Sequence, residues 1–328
     1  MNATRRDLLA GGSAALAFAA LPGAPADAFA PQAGKQNAGF YRYRLGTFEI
    51  TAVTDGAVTF PLSDTFVTNV AREEVNKALE TAYLPKDQIT IVFTPLVVNT
   101  GSKLVVIDTG YGPGMMEKSK GATGQFHANL AAAGIDRATV DAVVISHFHA
   151  DHINGLLTAD GRPAFANAEI LVPATEWKFW MDDIEMSRAS SDMAKGNFAN
   201  VRRVFGALSS KVAQFEPGRD VAPGVASIAA YGHTPGHVSL TVASGADAML
   251  VTCDLTNRPE LFLVHPDWRI VYDMDPAMAE AIRRKMFDMA VAERMQVQGF
   301  HFPFPATGHV EKQGAGYRIA PSPWRASL

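Results

Sequence analysis

Beyond its first thirty or so residues the chain alternates short apolar runs rich in β-branched residues with segments of helical periodicity, which restricts it to layered α/β architectures. The runs that read as strands are Phe48–Val53, Thr90–Val98, Lys103–Asp108, Asp141–Ser146, Glu169–Val172, Val225–Ala230, Val238–Val242 and Met249–Thr252. Helical patterns cover Arg72–Tyr83, Phe126–Ala133, Ala174–Asp182, Met193–Leu208 and Pro276–Arg294. In the last, Met278, Ile282, Met286 and Met289 recur at helical spacing and are expected in the core, with Arg283, Arg284 and Lys285 interleaved. Gly110–Gly124 and Pro61–Val67 read as connecting loops rather than lids.

Ser146-His147-Phe148-His149-Ala150-Asp151-His152 begins where the apolar run Asp141–Ser146 ends, so its imidazoles and carboxylate sit where a buried strand gives way to a loop. Imidazole and carboxylate are the ligands preferred by zinc and its borderline neighbours. A His-rich surface loop would chelate metal adventitiously, yet it would need no hydrophobic strand before it. Further His and Asp residues recur at strand-like ends: His233 in Tyr231–His237, Asp254 after Met249–Thr252, and His301 after Met295–Phe300. The pattern points to a dedicated metal site.

Hydrophobic residues make up 48% of the chain, enough for one large core, and no linker divides it. Net charge is −4 with both signs interspersed, so no basic stripe marks nucleic-acid binding. One cysteine, Cys253, excludes an intrachain disulfide. Thr4-Arg5-Arg6-Asp7-Leu8-Leu9 is a twin-arginine start, followed by a weakly apolar stretch from Leu8 to Ala20. Gly11, Gly12, Ser13 and Pro22 break that stretch, which falls short of the ~20 residues a membrane span needs. Ala26-Asp27-Ala28 and Ala28-Phe29-Ala30 are cleavage candidates, so residues 1–30 read as an export signal and the mature protein as periplasmic or secreted. No other membrane association is expected.

His147-Phe148-His149-Ala150-Asp151-His152, with His233, Asp254 and a late His, resembles the H-x-H-x-D-H signature of the metallo-β-lactamase superfamily. Tyr41–Gly56, Val97–Gly110 and the tail Gly316–Pro321 are similar to the methyl parathion hydrolase branch, and the likeness runs from about residue 40 to the end. The resemblance implies an αββα sandwich, two mixed β-sheets flanked by helices, in a single hydrolase domain over 31–328. It implies two divalent ions, foremost Zn2+ with Mn2+, Co2+ or Fe2+ as alternatives. By the family pattern the first ion takes His147, His149, His233 and Asp254; the second takes Asp151, His152, His301 and the bridging Asp254. The branch's tail favours His301 over His309 as the last ligand.

A metal-bridging hydroxide would attack a carbonyl carbon or phosphorus, with Asp151 or Asp254 accepting a proton. The resemblance also implies an aromatic pocket near Trp180 and Phe198, with Trp177 a further candidate and Phe304 part of the same aromatic set. Such a pocket suits small neutral substrates: lactones, aryl esters or phosphotriesters. Dimers are common in that branch, so a homodimer is expected. Cys253 stands where a glycine commonly precedes the bridging Asp; read as strand neighbours, Cys253 and Asp254 face opposite sides, leaving the thiol buried and inert. His237 is expected to support the His233 turn, Asp108 to orient a ligand, and His127 and His265 to play ordinary roles. Alternatives are a periplasmic metallo-β-lactamase, a thioesterase of the same fold, or a non-catalytic metal-binding protein.

Overall fold

The strand Leu96–Asn99 buries Leu96 and Val98 on one side and Val97 on the other, because successive side chains of a strand point to opposite faces. Leu104–Ile107 and Ala142–Val144 repeat the pattern: Val105, Ile107 and Val144 face one cluster, Val106 and Val143 the other. Strands apolar on both faces belong in the middle of a layered fold. A computed structural model describes residues 32–34, 36–208 and 211–328, and the export segment expected at 1–30 lies outside them.

Two seven-stranded sheets stack face to face. The first runs in the order Phe40–Leu45, Phe48–Val53, Leu96–Asn99, Leu104–Ile107, Ala142–Val144, Glu169–Pro173 and Val212–Phe215; its last four strands are parallel. The second runs Asp220–Ala222, Val225–Ala229, Val238–Ser244, Asp247–Val251, Gln296–Gln298, Thr307–Gln313 and Gly316–Pro321, with Asp247–Val251 and Gln296–Gln298 parallel. Between the sheets lie Ile50, Leu96, Val98, Val105 and Ile107 from one side and Val225, Leu240, Val242 and Met249 from the other. The helices Phe126–Ala132, Ala174–Met181 and Asp192–Gly206 cover the first sheet, and Pro276–Ala292 covers the second. This is the expected αββα sandwich.

The expected strand Thr90–Val98 is two elements. Thr94-Pro95 interrupts it, so that Gln88–Phe93 pairs with Gly56–Pro61 in a separate two-stranded sheet and Leu96–Asn99 joins the main one. Proline cannot donate to a ladder, which fixes the break. The small sheet packs with the helix Arg72–Thr81 and the 259–270 segment around Phe66, Phe93, Phe262 and Phe300. Within Pro61–Val67, Leu62, Phe66 and Val67 are buried in that cluster, as befits a packed connection. The methionine stripe is core only in part. Met286 is buried and Met289 packs at the edge of the core, whereas Met278, in the first turn of its helix, is exposed. Arg283, expected to be interleaved with that stripe, is itself buried.

Candidate metal centre

The parallel strands of both sheets end at the same edge of the sandwich, and the chemistry-bearing residues follow directly. His147, His149, Asp151 and His152 follow Ala142–Val144; Asp254 follows Asp247–Val251; His301 follows Gln296–Gln298. His233 comes from the loop between Val225–Ala229 and Val238–Ser244. Crevices beyond the carboxyl ends of parallel strands are the usual sites of α/β proteins.

His147, His149, His233 and Asp254 form one group, and Asp151, His152 and His301 a second. In the first, His149 Nδ1 lies 3.0 Å from His147 Nε2 and 2.9 Å from His233 Nε2. Asp254 Oδ2 is 3.1 Å from His233 Nε2 and 3.8 Å from His147 Nε2. Its other oxygen turns to the second group: Asp254 Oδ1 is 3.0 Å from His152 Nε2 and 3.1 Å from His301 Nε2, which also lies 3.2 Å from Oδ2. Asp151 Oδ2 completes that group at 3.4 Å from His152 Nε2 and 3.6 Å from His301 Nε2. One carboxylate thus spans both groups.

Most of these rings are oriented through the nitrogen that faces away from the centre. His152 Nδ1 donates to Asp108 Oδ2 at 2.8 Å, His233 Nδ1 to Asp273 Oδ1 at 2.9 Å, and His301 Nδ1 to the Val92 carbonyl at 2.8 Å. The Ser146 hydroxyl donates to Asp108 and so accepts from His147 Nδ1 at 3.0 Å. Each thereby turns its Nε2 inward, the nitrogen that a metal ion would take. His237 does not join either group. Its Nδ1 donates to the Ala230 carbonyl and its Nε2 accepts the Asp254 backbone N–H, which fixes the turn carrying the bridging carboxylate.

Cys253 and Asp254 are not strand neighbours, since the strand stops at Val251 and both lie in a one-turn helix. Cys253 takes φ +49°, the left-handed region where glycine is at ease, and its thiol is buried in the inter-sheet cluster. Burial pushes that thiol's pKa well up.

Burial would strip the imidazoles of charge, and it does so for His147 and for His149, whose pKa falls to about 3. At His233 burial is outweighed by Asp254 and Asp273, which lift the pKa to about 9. At His152 it is outweighed by Asp254, Asp151 and Asp108, so that pKa too is well raised. Buried carboxylates here demand a cation, and a divalent ion satisfies them better than protons shared among imidazoles. His152 Nε2 and Asp254 Oδ1, both buried, have no hydrogen-bond partner although they lie 3.0 Å apart. Nitrogen and carboxylate donors converging within 4.8 Å, with orphaned atoms aimed between them, fit two divalent ions.

A cavity of about 340 Å³ opens over this cluster. His149, Asp151, Asn197, His233, Asp254, Asn257, Asp273 and His301 supply its polar part. Val58, Phe60, Ile91 and Phe93 of the small sheet form one apolar side, and Trp180, Met193 and Phe198 the other. Tyr111, at the start of the glycine-rich loop, and Tyr272 also line it, and no lysine or arginine is among the lining residues. Trp180 and Phe198 line this cavity. Trp177 does not: a turn earlier in its helix, its ring packs edge-on against Phe148 and Phe205 in the first core. Phe304 is exposed and outside the cavity, and His309 is exposed on the strand Thr307–Gln313.

Three buried charged residues outside the expected ligand set, Glu176, Asp273 and Arg283, brace the centre. Glu176 accepts the Phe148 N–H, the Trp180 indole N–H, the Thr234 hydroxyl and the Gly236 N–H, tying the His147–His152 loop to the His233 loop. A carboxylate four residues from a tryptophan on an apolar helix was a legible signal for it. Asp273 and Arg283 had no local signal, because Asp273 meets His233 40 positions away and Arg283 meets Leu255 28 positions away.

The model of a family described as the metallo-beta-lactamase superfamily matches residues 93–293. Among solved structures the chain is similar to AidC, described as a dizinc quorum-quenching lactonase in complex with a product. Identity there is 24%, TM-score 0.81, covering 88% of this chain and 98% of that one. It is similar to AbOPH, described as a hydrolase in the beta lactamase superfamily, at 26% identity and TM-score 0.81, covering 89% and 100%. A probable metal-dependent hydrolase from Staphylococcus aureus follows at 21% identity and TM-score 0.69, covering 87% and 100%. No curated protein matches the chain.

Proposed function

Because the chain belongs to the metallo-beta-lactamase superfamily, we propose that this metal-dependent hydrolase cleaves small, neutral, hydrophobic lactones or esters, with phosphotriesters as secondary substrates. The observation that carries this reading is the cavity: its floor is a bridged His/Asp cluster and its walls are apolar with no cationic residue. A wall without Lys or Arg offers nothing to a carboxylate or phosphate monoester, and burying such an anion unpaired is costly. The likeness to AidC supports a lactone. Parathion-type triesters are synthetic, which favours a lactone or ester as the native substrate.

His147, His149, His233 and Asp254 would hold one ion, and Asp151, His152, His301 and Asp254 the other. When bound, such a pair lowers the pKa of water to about 7 and polarises a carbonyl or phosphoryl oxygen. The nitrogen-rich first group favours zinc; the second, with two carboxylates, also tolerates manganese, cobalt or iron. Asp151 lines the cavity with a side chain 14% exposed against 8% for Asp254, so its carboxylate is better placed to take the nucleophile's proton. Trp180 and Phe198 hold the substrate's apolar body and exclude water. The twin-arginine start supports a periplasmic or secreted location.

The test is a kinetic panel on zinc-, manganese- and cobalt-loaded protein with aryl lactones, acyl-homoserine lactones, p-nitrophenyl esters, paraoxon-type triesters, a glutathione thioester and nitrocefin. Lactones or esters are expected to lead in kcat/KM. Nitrocefin or the thioester in first place, or turnover undiminished by a chelator, overturns the reading.

A further inference from the structure

The helix Pro276–Ala292 carries the buried Arg283 behind the metal centre, and its guanidinium has four partners. Nε donates to the Leu255 carbonyl at 2.9 Å, the residue after the bridging Asp254. Nη1 reaches the Pro266 and Trp268 carbonyls at 2.9 and 3.3 Å, and Nη2 the Asp273 carboxylate at 3.1 Å. The other oxygen of Asp273 accepts His233 Nδ1–H at 2.9 Å. One rigid fork therefore grips the turn that presents Asp254 and, through Asp273, the ring of His233. The same helix crowds the His233 loop from behind: a Cβ on Gly232, at φ +127°, would lie 2.3 Å from Ala279 N. Asp275 N–H donates to the Gly232 carbonyl and Met274 N–H to that of His233.

We propose that Asp273, held by Arg283, is a positioning residue that sets the metal affinity of the first group alone; Asp108, which reaches His152 directly and His147 through the Ser146 hydroxyl, serves both groups and is the contrast. This rests on the metal-binding reading above. The partition follows from geometry. Asp273 touches only His233 among the proposed ligands, whereas Asp108 touches His152 and also holds the Ser146 hydroxyl that accepts from His147; the Val92 carbonyl backs His301. A carboxylate behind an imidazole raises its basicity and fixes its tautomer, and losing one costs 10–100-fold in metal affinity. Asp273 and Asp108 share no partner, so the effect of Asp273 is confined to the first group.

The experiment titrates zinc into metal-free full-length protein against a chromophoric chelator, resolving two stepwise dissociation constants, for wild type, Asp273→Asn and Asp108→Asn. Asp273→Asn is expected to weaken one step ~10–100-fold and leave the other unchanged, whereas Asp108→Asn weakens both. Cobalt(II) absorption is expected to change in one of the two bands for Asp273→Asn and in both for Asp108→Asn. Asp273→Asn moving both steps, or moving neither while only the unfolding temperature of the metal-free protein falls, overturns the inference but leaves the metal reading intact. Wild type binding fewer than two ions overturns both. Should Asp273→Asn fail to fold, Arg283→Lys is read in the same titration. It keeps the charge on Asp273 but loses the fork, and is expected to weaken the same step at least threefold; no change in either step overturns the inference.

Discussion

The Glu176 carboxylate accepts the Thr234 hydroxyl at 2.8 Å, a contact between residues 58 positions apart that joins two ligand-bearing loops. The same oxygen takes the Gly236 N–H, and its partner oxygen takes the Phe148 N–H and the Trp180 indole. All four donors are buried with it, so removing the acceptor strands them at ~1–3 kcal/mol each before relaxation. Glu176→Ala is expected to destabilise the protein by about 3 kcal/mol or more and Glu176→Gln by about 1–3 kcal/mol, measured by urea unfolding of the metal-free form. Wild-type stability in both would remove Glu176 as the clamp.

His301 and His309 are separated by metal counting. His301→Ala removes a donor 3.1 Å from Asp254 Oδ1 and is expected to lower bound metal towards one ion per chain with near-complete loss of turnover. His309→Ala, on an exposed strand position, is expected to keep full metal content. The reverse pattern would reassign the last ligand.

Metal removal is expected to abolish turnover and to lower the unfolding midpoint, because the ions bind the folded arrangement and hardly the unfolded chain. At a thousandfold excess over Kd each ion stabilises by about 4 kcal/mol. Calorimetric scans of the metal-free and zinc-loaded forms check this, and coincident midpoints would show that the cluster is held without metal.

Met193 and Met274 line the cavity yet are about half exposed, which puts them at its mouth rather than its floor. Their truncation to Ala is expected to raise KM for long-chain acyl substrates severalfold, as loss of apolar contact worth about 1 kcal/mol would. Short-chain substrates, which do not reach the mouth, should keep their KM. An equal rise for both would mean that the methionines order the pocket instead.

His127 donates Nε2–H to the Gly155 carbonyl at 2.7 Å and accepts from Arg137 on Nδ1, so it is held neutral; burial lowers its pKa to about 4. The unfolded side chain takes a proton near pH 6.5, the folded one only near 4. Stability is therefore intact above pH 6.5 and lost as pH falls between those values, by at most about 3 kcal/mol. His127→Gln should flatten that part of the profile in metal-free protein unfolded at pH 7, 5.5 and 4.5. An unchanged slope would assign the acid sensitivity elsewhere.

Much of the site was readable because its signals are local. Two residues apart on extended backbone, His147 and His149 share a side, and each apolar run reports a buried strand by composition alone. The central strands Phe48–Val53, Leu104–Ile107 and Val238–Ser244 were legible for that reason. The edge strands Val212–Phe215 and Gly316–Pro321 were not, since one-sided burial leaves a weaker pattern, and the break at Thr94-Pro95 was hidden inside a continuous apolar run.

What the sequence by itself determined is the layered fold, the donor types and the strand ends that carry them, because periodicity and ligand chemistry are written within a few residues. Tertiary structure alone decided the rest. It set the distances at which Asp254 spans the two groups, placed Asp273 behind His233 and Arg283 behind both, and sent Trp177 into the core while Trp180 reached the cavity. Those outcomes depend on contacts between segments tens to hundreds of residues apart, whose geometry is fixed only when the two sheets close on each other and water leaves the space between them.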